Sequence, residues 1–185
     1  AVRQSREGDC WLLATTGWMV KHRPDVVRNA IEPAGEGRWR VRFADGEVVE
    51  VSTPTVTELI TVNSQATLKE GLWLPVVKEA MGEIIGESNA KKAEIEAESL
   101  RIVGGSGARM FQRWTGHKVR TVRLEGRTPV EEVRKALVDG VARKAAMGAG
   151  TPKEPKAADG TVPPRGSIPP NHALAIFGFD AERDM

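Results

Sequence analysis

The sequence predicts an α+β fold of two lobes, and three features of the chain indicate it. Residues 38–51 alternate apolar and polar side chains on both sides of an Asp-Gly turn, which is typical of a β-hairpin. Apolar residues recur at helical spacing in several segments, the first at residues 10–21. An apolar run that follows His172 has the length and flanking turn residues of a buried strand. We therefore expect a helical lobe over residues 1–117 and a β-rich lobe over residues 118–185.

The first lobe is expected to be mainly helical, with the hairpin between its helices. Pro24 favours a helix start, because proline lacks the N–H that a first turn leaves unpaired. The arginines and glutamates of the hairpin are expected to pair across strands on the solvent face. The predicted elements are a helix over 10–21, a helix over 24–31, hairpin strands over 38–43 and 47–51, a helix over 72–85, a charged exposed helix or lid over 88–99, and a glycine-rich hinge between the lobes over 104–107.

The second lobe carries fewer elements. Thr128, followed by Pro129 and Glu131, favours a helix start with a capping box. Residues 150–170 are rich in proline, glycine and lysine, so we expect a mobile loop beside the cleft. The predicted elements are a strand over 119–124, a helix ending near 142 and interrupted by Gly140, a weak strand over 144–148, and the strand over 173–179.

Composition limits the classes of function. A length of 185 residues suits one domain or two closely packed lobes. The formal net charge of +2 is too small to indicate nucleic-acid binding, and no apolar run is long enough to span a membrane. A single cysteine cannot form an internal disulfide and no signal peptide is recognisable, which favours an intracellular protein. The glycine run lacks the lysine and Ser/Thr of a phosphate loop.

The lone cysteine, Cys10, stands where a helix is expected to begin. A lone cysteine is usually a small buried hydrophobe, and a free thiol with a pKa of about 8.5 is mostly protonated at neutral pH. The N-terminus of a helix and a neighbouring imidazolium both lower that pKa. Asp9 is a good N-cap residue, and the apolar residues after Cys10 predict a buried helix. This setting favours Cys10 as a nucleophile, with Trp11 packed under the site.

A glutamine six positions earlier suits the same chemistry. Gln4 lies on the approach to the helix, so its amide can turn toward a carbonyl that Cys10 attacks. Together with the Cys10 backbone N–H it would form an oxyanion hole, in which one donor contributes about 3 kcal/mol.

Of the three histidines, His172 is the best candidate for the base. His22 is expected at an exposed helix end, and His117 in a solvated turn before a strand. His172 follows a rigid Pro-Pro segment and opens an apolar strand, where a ring can be held in place. We therefore expect His172 to activate Cys10 across the interface between the lobes.

These residues resemble the active-site segment of calpain-type cysteine proteases, within the papain-like group. The match consists of Gln4 and the run Gly-Asp-Cys-Trp-Leu-Leu-Ala over residues 8–14. Residues 72–81 are similar to the calpain helix that runs tryptophan, apolar pair, Glu-Lys, alanine, aromatic. The Gly104-Gly105 pair and the later Thr-Gly turn resemble the double-glycine segment and the end of the next short helix. Asn171 and His172 match the strand start that carries the family's base.

The resemblance implies a papain-like two-lobe fold and hydrolysis of peptide bonds in proteins or peptides. It implies Cys10 as nucleophile, His172 as base and Gln4 as oxyanion donor. Substrate would be bound by Gly104, Gly105, Trp11 and Asn171. Calpains depend on calcium, but the chain contains no acidic loop with recognisable calcium-ligand spacing, so we expect no cofactor.

The chain also departs from the calpain pattern. Asn171 stands where calpains usually have glycine, and Met81 where they usually have tyrosine. The family's third catalytic residue is an asparagine on the strand after the histidine strand, and no counterpart precedes Met185. We therefore expect a domain that is cut before this asparagine.

Two other functions are compatible with the same residues. One is a thiol acyltransferase of the transglutaminase kind, which would pass the acyl group to an amine. The other is a binding domain that keeps the papain-like fold without catalysis. The rate at which Cys10 reacts with alkylating reagents separates an enzyme from the binding domain.

Overall fold

A computed structural model gives the structure of the protein and describes residues 8–61, 71–90, 105–122, 130–153 and 170–183. In these ranges, helices and strands follow one another along the chain. The helices are α1 (Cys10–His22), α2 (Pro24–Ala30), α3 (Val56–Thr61), α4 (Trp73–Ala90), α5 (Gly107–Thr115) and α6 (Val130–Ala142). The strands are β1 (Ile31–Gly35), β2 (Arg38–Arg42), β3 (Val48–Ser52), β4 (Met147–Gly150) and β5 (Ala173–Ile176). This mixed content agrees with the predicted α+β class.

Helix α1 lies at the centre of the core, and its predicted position is confirmed. Apolar side chains cover most of its circumference, as expected for a helix surrounded by other elements. It packs against α2, α5 and β5. Its buried threonines are satisfied: Thr15 Oγ1 donates to the Trp11 carbonyl at 2.8 Å, and Thr16 Oγ1 accepts from Trp114 Nε1 at 3.2 Å.

The predicted hairpin is confirmed, and a third strand joins it. β1, β2 and β3 form an antiparallel sheet in that order, with Trp39 opposite Val51 in the hairpin. β1 was not predicted, because Pro33 weakens its strand pattern. Proline is tolerated there since β1 is an edge strand of this sheet. The expected charge pairs are present on the exposed face, where Arg40 contacts both Glu32 and Glu50.

Helices α4 and α5 also contribute buried apolar side chains to the core. The predicted helix over 72–85 is confirmed as α4, and it lies against β2 and β3. The short helix that the family resemblance predicted is α5. It ends at Gly116, whose φ of 70° is the left-handed conformation that favours glycine at a helix C-terminus. Gly116 also packs closely on the Ala44 carbonyl, so α5 is docked on the hairpin turn.

The later part of the chain contributes α6 and a two-stranded sheet. β4 and β5 are antiparallel, with Met147 opposite Ile176 and Gly150 opposite Ala173. The predicted helix is confirmed as α6, but it runs through Gly140 without the interruption that we expected. Its Gly140 is buried because Met147 lies where a Cβ atom would be, which explains a glycine inside a helix.

Several predicted elements need correction. The strand expected over 119–124 is wrong for residues 119–122, which are mostly exposed and not paired in a sheet. The hinge over 104–107 is wrong at its end, because Ser106 caps α5 and Gly107 is its first residue. The strand expected over 144–148 lies instead at Met147–Gly150, after a turn in which Lys144 has a φ of 52°.

Other predictions are only partly covered. The strand after His172 is confirmed but stops at Ile176, and its residues are half-buried instead of fully buried. The charged segment over 88–99 is helical as far as Ala90, and the remainder lies outside the described residues, as do Thr128, Pro129 and most of the 150–170 loop. The two-lobe arrangement and the boundary between residues 117 and 118 stay predictions.

Candidate active site

Cys10 is the first residue of α1 and is half-buried. The Asp9 carbonyl accepts hydrogen bonds from the amides of Leu12 and Leu13 at 2.9 and 3.0 Å, so the helix begins directly at the cysteine. The thiol therefore lies at the positive end of the helix dipole, as the sequence predicts.

The Cys10 sulfur is contacted by a residue that lies far from it in the sequence. The Ala173 amide donates a hydrogen bond to Cys10 Sγ at 3.4 Å. Residues 10 and 173 are brought together because α1 and β5 lie side by side and run in the same direction. Further along, Trp18 Nε1 of α1 donates to the Ile176 carbonyl of β5 at 2.9 Å. An amide N–H that points at sulfur can stabilise a sulfur anion.

His172 immediately precedes Ala173 and is half-buried. Thr151 holds its backbone on both sides. The His172 amide donates to Thr151 Oγ1 at 2.9 Å, and the Thr151 amide donates to the His172 carbonyl at 2.8 Å. The structure thus places the predicted base on a restrained segment, one residue from the amide that contacts the predicted nucleophile.

Asn171 is exposed and has a φ of 49°, in the left-handed region. Its amide donates to the Pro152 carbonyl at 2.9 Å. Glycine adopts this conformation at no steric cost, and asparagine tolerates it better than most residues. The backbone therefore explains why asparagine can replace the glycine that calpains usually have before the histidine.

Trp11 and Gly105 are in direct contact. Trp11 is buried, and a Cβ atom on Gly105 would lie 2.1 Å from Trp11 Cε2. The indole ring of Trp11 thus packs directly against the backbone of Gly105. Trp11 Nε1 has no hydrogen-bond partner in the described part of the chain. Gln4 and Gly104 lie outside the described residues, so no position is assigned to them.

The sequence did not predict a buried ion pair at the residue that precedes Cys10. Lys78 Nζ of α4 lies 2.8 Å from Asp9 Oδ2, and the two side chains are 2% and 0% exposed. Asp9 occupies the N-cap position of α1, but its side chain makes no capping hydrogen bond. The expected cap is therefore wrong in this respect, since the carboxylate turns toward Lys78. The signal in the sequence was Lys78 itself, because a lysine on the apolar face of the predicted helix over 72–85 needs a buried partner of opposite charge.

The other two histidines lie outside this group of residues. His22 is exposed, as predicted, and its ring stacks on Trp18 with a centroid distance of 4.4 Å. His117 is exposed and follows α5, but no strand follows it in the described residues 118–122. Neither contradicts the choice of His172.

Two classes of site receive no support from the described ranges. No three His, Cys, Asp or Glu side chains within them are grouped closely enough to hold a metal ion. Likewise, no helix in the described parts of the chain combines the length and apolar character needed to cross a membrane.

Comparison with known proteins agrees with this arrangement. The family model described as calpain family cysteine protease matches residues 1–183, which is nearly the whole chain. No curated protein and no solved structure matches the chain. Because the family model covers the helix that carries Cys10 and the strand that follows His172, the chain belongs to the calpain family of cysteine proteases.

Proposed function

We propose that the protein is a cysteine endopeptidase that hydrolyses peptide bonds in proteins or peptides. Cys10 is the nucleophile, and His172 is the base and then the acid. The observation that supports this most strongly is the hydrogen bond from Ala173 N to Cys10 Sγ at 3.4 Å. It joins the two segments that must meet for a thiol and an imidazole to react together.

The proposed reaction has two halves. The Cys10 sulfur attacks the substrate carbonyl carbon and forms an S–C bond, while the proton of the thiol is held on His172. The C–N bond then breaks, and the leaving amine takes that proton. In the second half, His172 takes a proton from water, whose oxygen attacks the acyl carbon and displaces the sulfur.

The negative oxygen of each tetrahedral intermediate needs hydrogen-bond donors. The Cys10 backbone N–H belongs to the first turn of α1, where amides have no partner within the helix. The Gln4 side chain is the proposed second donor. Gly105, supported by Trp11, offers a backbone without a side chain along which an extended substrate can bind.

The test uses the fact that Cys10 is the only cysteine, so alkylation reports on this residue alone. At about pH 6, we expect iodoacetamide to react with Cys10 of the wild-type protein much faster than it reacts with the thiol of free glutathione. The variant His172→Ala should slow the reaction at Cys10 by about 10²-fold or more. His117→Ala is the matched control, because His117 is exposed and lies outside the site. It should label like wild type.

Product analysis then separates the possible enzymes. A peptide mixture incubated with the protein and a primary amine should give hydrolysis products by mass spectrometry. Transfer of acyl groups to the amine would instead identify an acyltransferase. Labelling of the wild type no faster than that of glutathione would mean that the domain binds without catalysis.

A further inference from the structure

The buried pair of Asp9 and Lys78 has no role in the chemistry described above. Asp9 is adjacent to Cys10 in sequence, and Lys78 reaches it from α4, a different part of the core. Charged groups are seldom fully buried, because removing them from water costs free energy that an apolar pair would not cost. A pair kept beside the nucleophile therefore calls for an explanation.

Asp9 and Lys78 are in direct contact through their charged groups. Lys78 Nζ lies 2.8 Å from Asp9 Oδ2, at the distance of a charge-assisted hydrogen bond, and no other described residue gives either carboxylate oxygen a hydrogen bond. The side chain also gives no hydrogen bond to the first turn of α1. Within the described structure, Lys78 is thus the group that compensates the negative charge of Asp9.

We infer that Lys78 is a positioning residue that neutralises Asp9 and so allows Cys10 to exist as the reactive thiolate. The inference rests on the proposed function, since it concerns the reactivity of the same thiol. A buried, uncompensated carboxylate on the residue next to Cys10 would oppose a second negative charge on the sulfur. With Lys78 in place, the helix N-terminus, the Ala173 amide and the proposed base His172 can favour the thiolate without that opposition.

The inference predicts effects of opposite sign for the two members of the pair. Lys78→Met leaves the carboxylate uncompensated, so alkylation of Cys10 by iodoacetamide should slow by about tenfold at near-neutral pH. Asp9→Asn removes the negative charge, so alkylation should be as fast as in wild type or faster. The double variant Asp9→Asn/Lys78→Met carries neither charge and should recover to within about threefold of wild type.

The matched control is Lys135→Met, which removes an exposed lysine from α6 and should leave the rate unchanged. Circular dichroism identifies any variant that fails to fold. If Lys78→Met is unfolded, Asp9→Asn and the double variant still test the idea, because both lack the carboxylate and neither should label more than about threefold more slowly than wild type. A purely structural pair would instead slow labelling in each single variant and in the double variant.

The outcomes distinguish this inference from the proposed function. If the wild type labels fast and Lys78→Met labels equally fast, the inference is wrong while the peptidase proposal stands. Slow labelling of the double variant, equal to that of Lys78→Met, also overturns it. If the wild type itself labels no faster than glutathione, the peptidase proposal fails first, and with it the role assigned to Lys78.

Discussion

Single residues at the site are constrained mainly by close contacts that leave no room for change. Gly105 is the clearest case, because it is exposed to solvent on one side and lies against the Trp11 ring on the other. Asn171 is constrained by backbone conformation instead, with a φ of 49° next to the predicted base. Both residues shape the backbone around Cys10 and His172 without a reactive group of their own.

Gly105→Ala should destabilise the protein, because its methyl group would overlap the buried indole of Trp11. Overpacking of this kind typically costs about 1–3 kcal/mol in the free energy of unfolding. Gly17→Ala in α1 is the matched control, since no atom lies within 4 Å of the Cβ that it adds. Alanine favours a helix over glycine by about 0.5–1 kcal/mol, so this variant should be neutral or more stable. Urea unfolding measures both, and equal effects would contradict the contact.

At the level of elements, the three-stranded sheet combines a buried face and a charged face. Val41 and Val51 of β2 and β3 are buried against the core, whereas Arg40 lies among carboxylates on the other side. Hydrogen bonds from Arg40, and then from Arg42, hold the pKa of Glu32 below its ordinary value. Those from Arg40 lower the pKa of Glu50 in the same way.

A lowered pKa in the folded state sets the sign of a pH effect. Glu32 stabilises the fold above the pKa of an unfolded glutamate, and this contribution is lost as the pH falls through the lower folded value. Glu32→Gln should therefore reduce the free energy of unfolding slightly at neutral pH, and the difference from wild type should shrink as the pH falls below the ordinary pKa of a glutamate. Glu36→Gln, at an exposed turn position, is the control and should leave the free energy of unfolding at neutral pH close to that of wild type. A deficit that persists in acid would refute the charge explanation.

For the whole molecule, α1 is the element that joins the parts of the core. It contacts α2, α5 and both strands of the two-stranded sheet. Cys10 contacts the start of β5 and Trp18 contacts its end. The separation of the proposed nucleophile, Cys10, and the proposed base, His172, therefore depends on how firmly β5 is attached to α1.

Trp18→Phe should loosen this attachment, because it removes the indole N–H that donates to the Ile176 carbonyl. Leaving a part-buried carbonyl without its donor costs about 1–3 kcal/mol of unfolding free energy. Trp39→Phe is the matched control, since it removes an indole hydrogen bond to Thr53 Oγ1 within the first sheet. Both variants should lose stability to urea, but only Trp18→Phe should also slow iodoacetamide labelling of Cys10. Equal labelling rates in the two variants would mean that β5 does not depend on Trp18.

Most elements were predictable because their signals are local. The hairpin follows from alternation around an Asp-Gly turn, and α1 and α4 follow from the helical spacing of apolar residues. α6 follows from the helix-start signals at Thr128 and Pro129. The predicted strand over 119–124 failed for residues 119–122 because alternation alone does not supply a neighbouring strand to pair with. β1 was missed for the opposite reason, since pairing with β2 overrides the weak propensity of Pro33.

By itself, the sequence determined the α+β class, most helix positions and the choice of Cys10 and His172 as candidates, because residue type and spacing carry that information. Only the tertiary structure decided that the Ala173 amide contacts Cys10, that Asp9 pairs with Lys78 instead of capping α1, and that Asn171 has a positive φ. The first two contacts join segments far apart in the chain. Such contacts arise from how helices and strands pack together, and no pattern within a single segment specifies them.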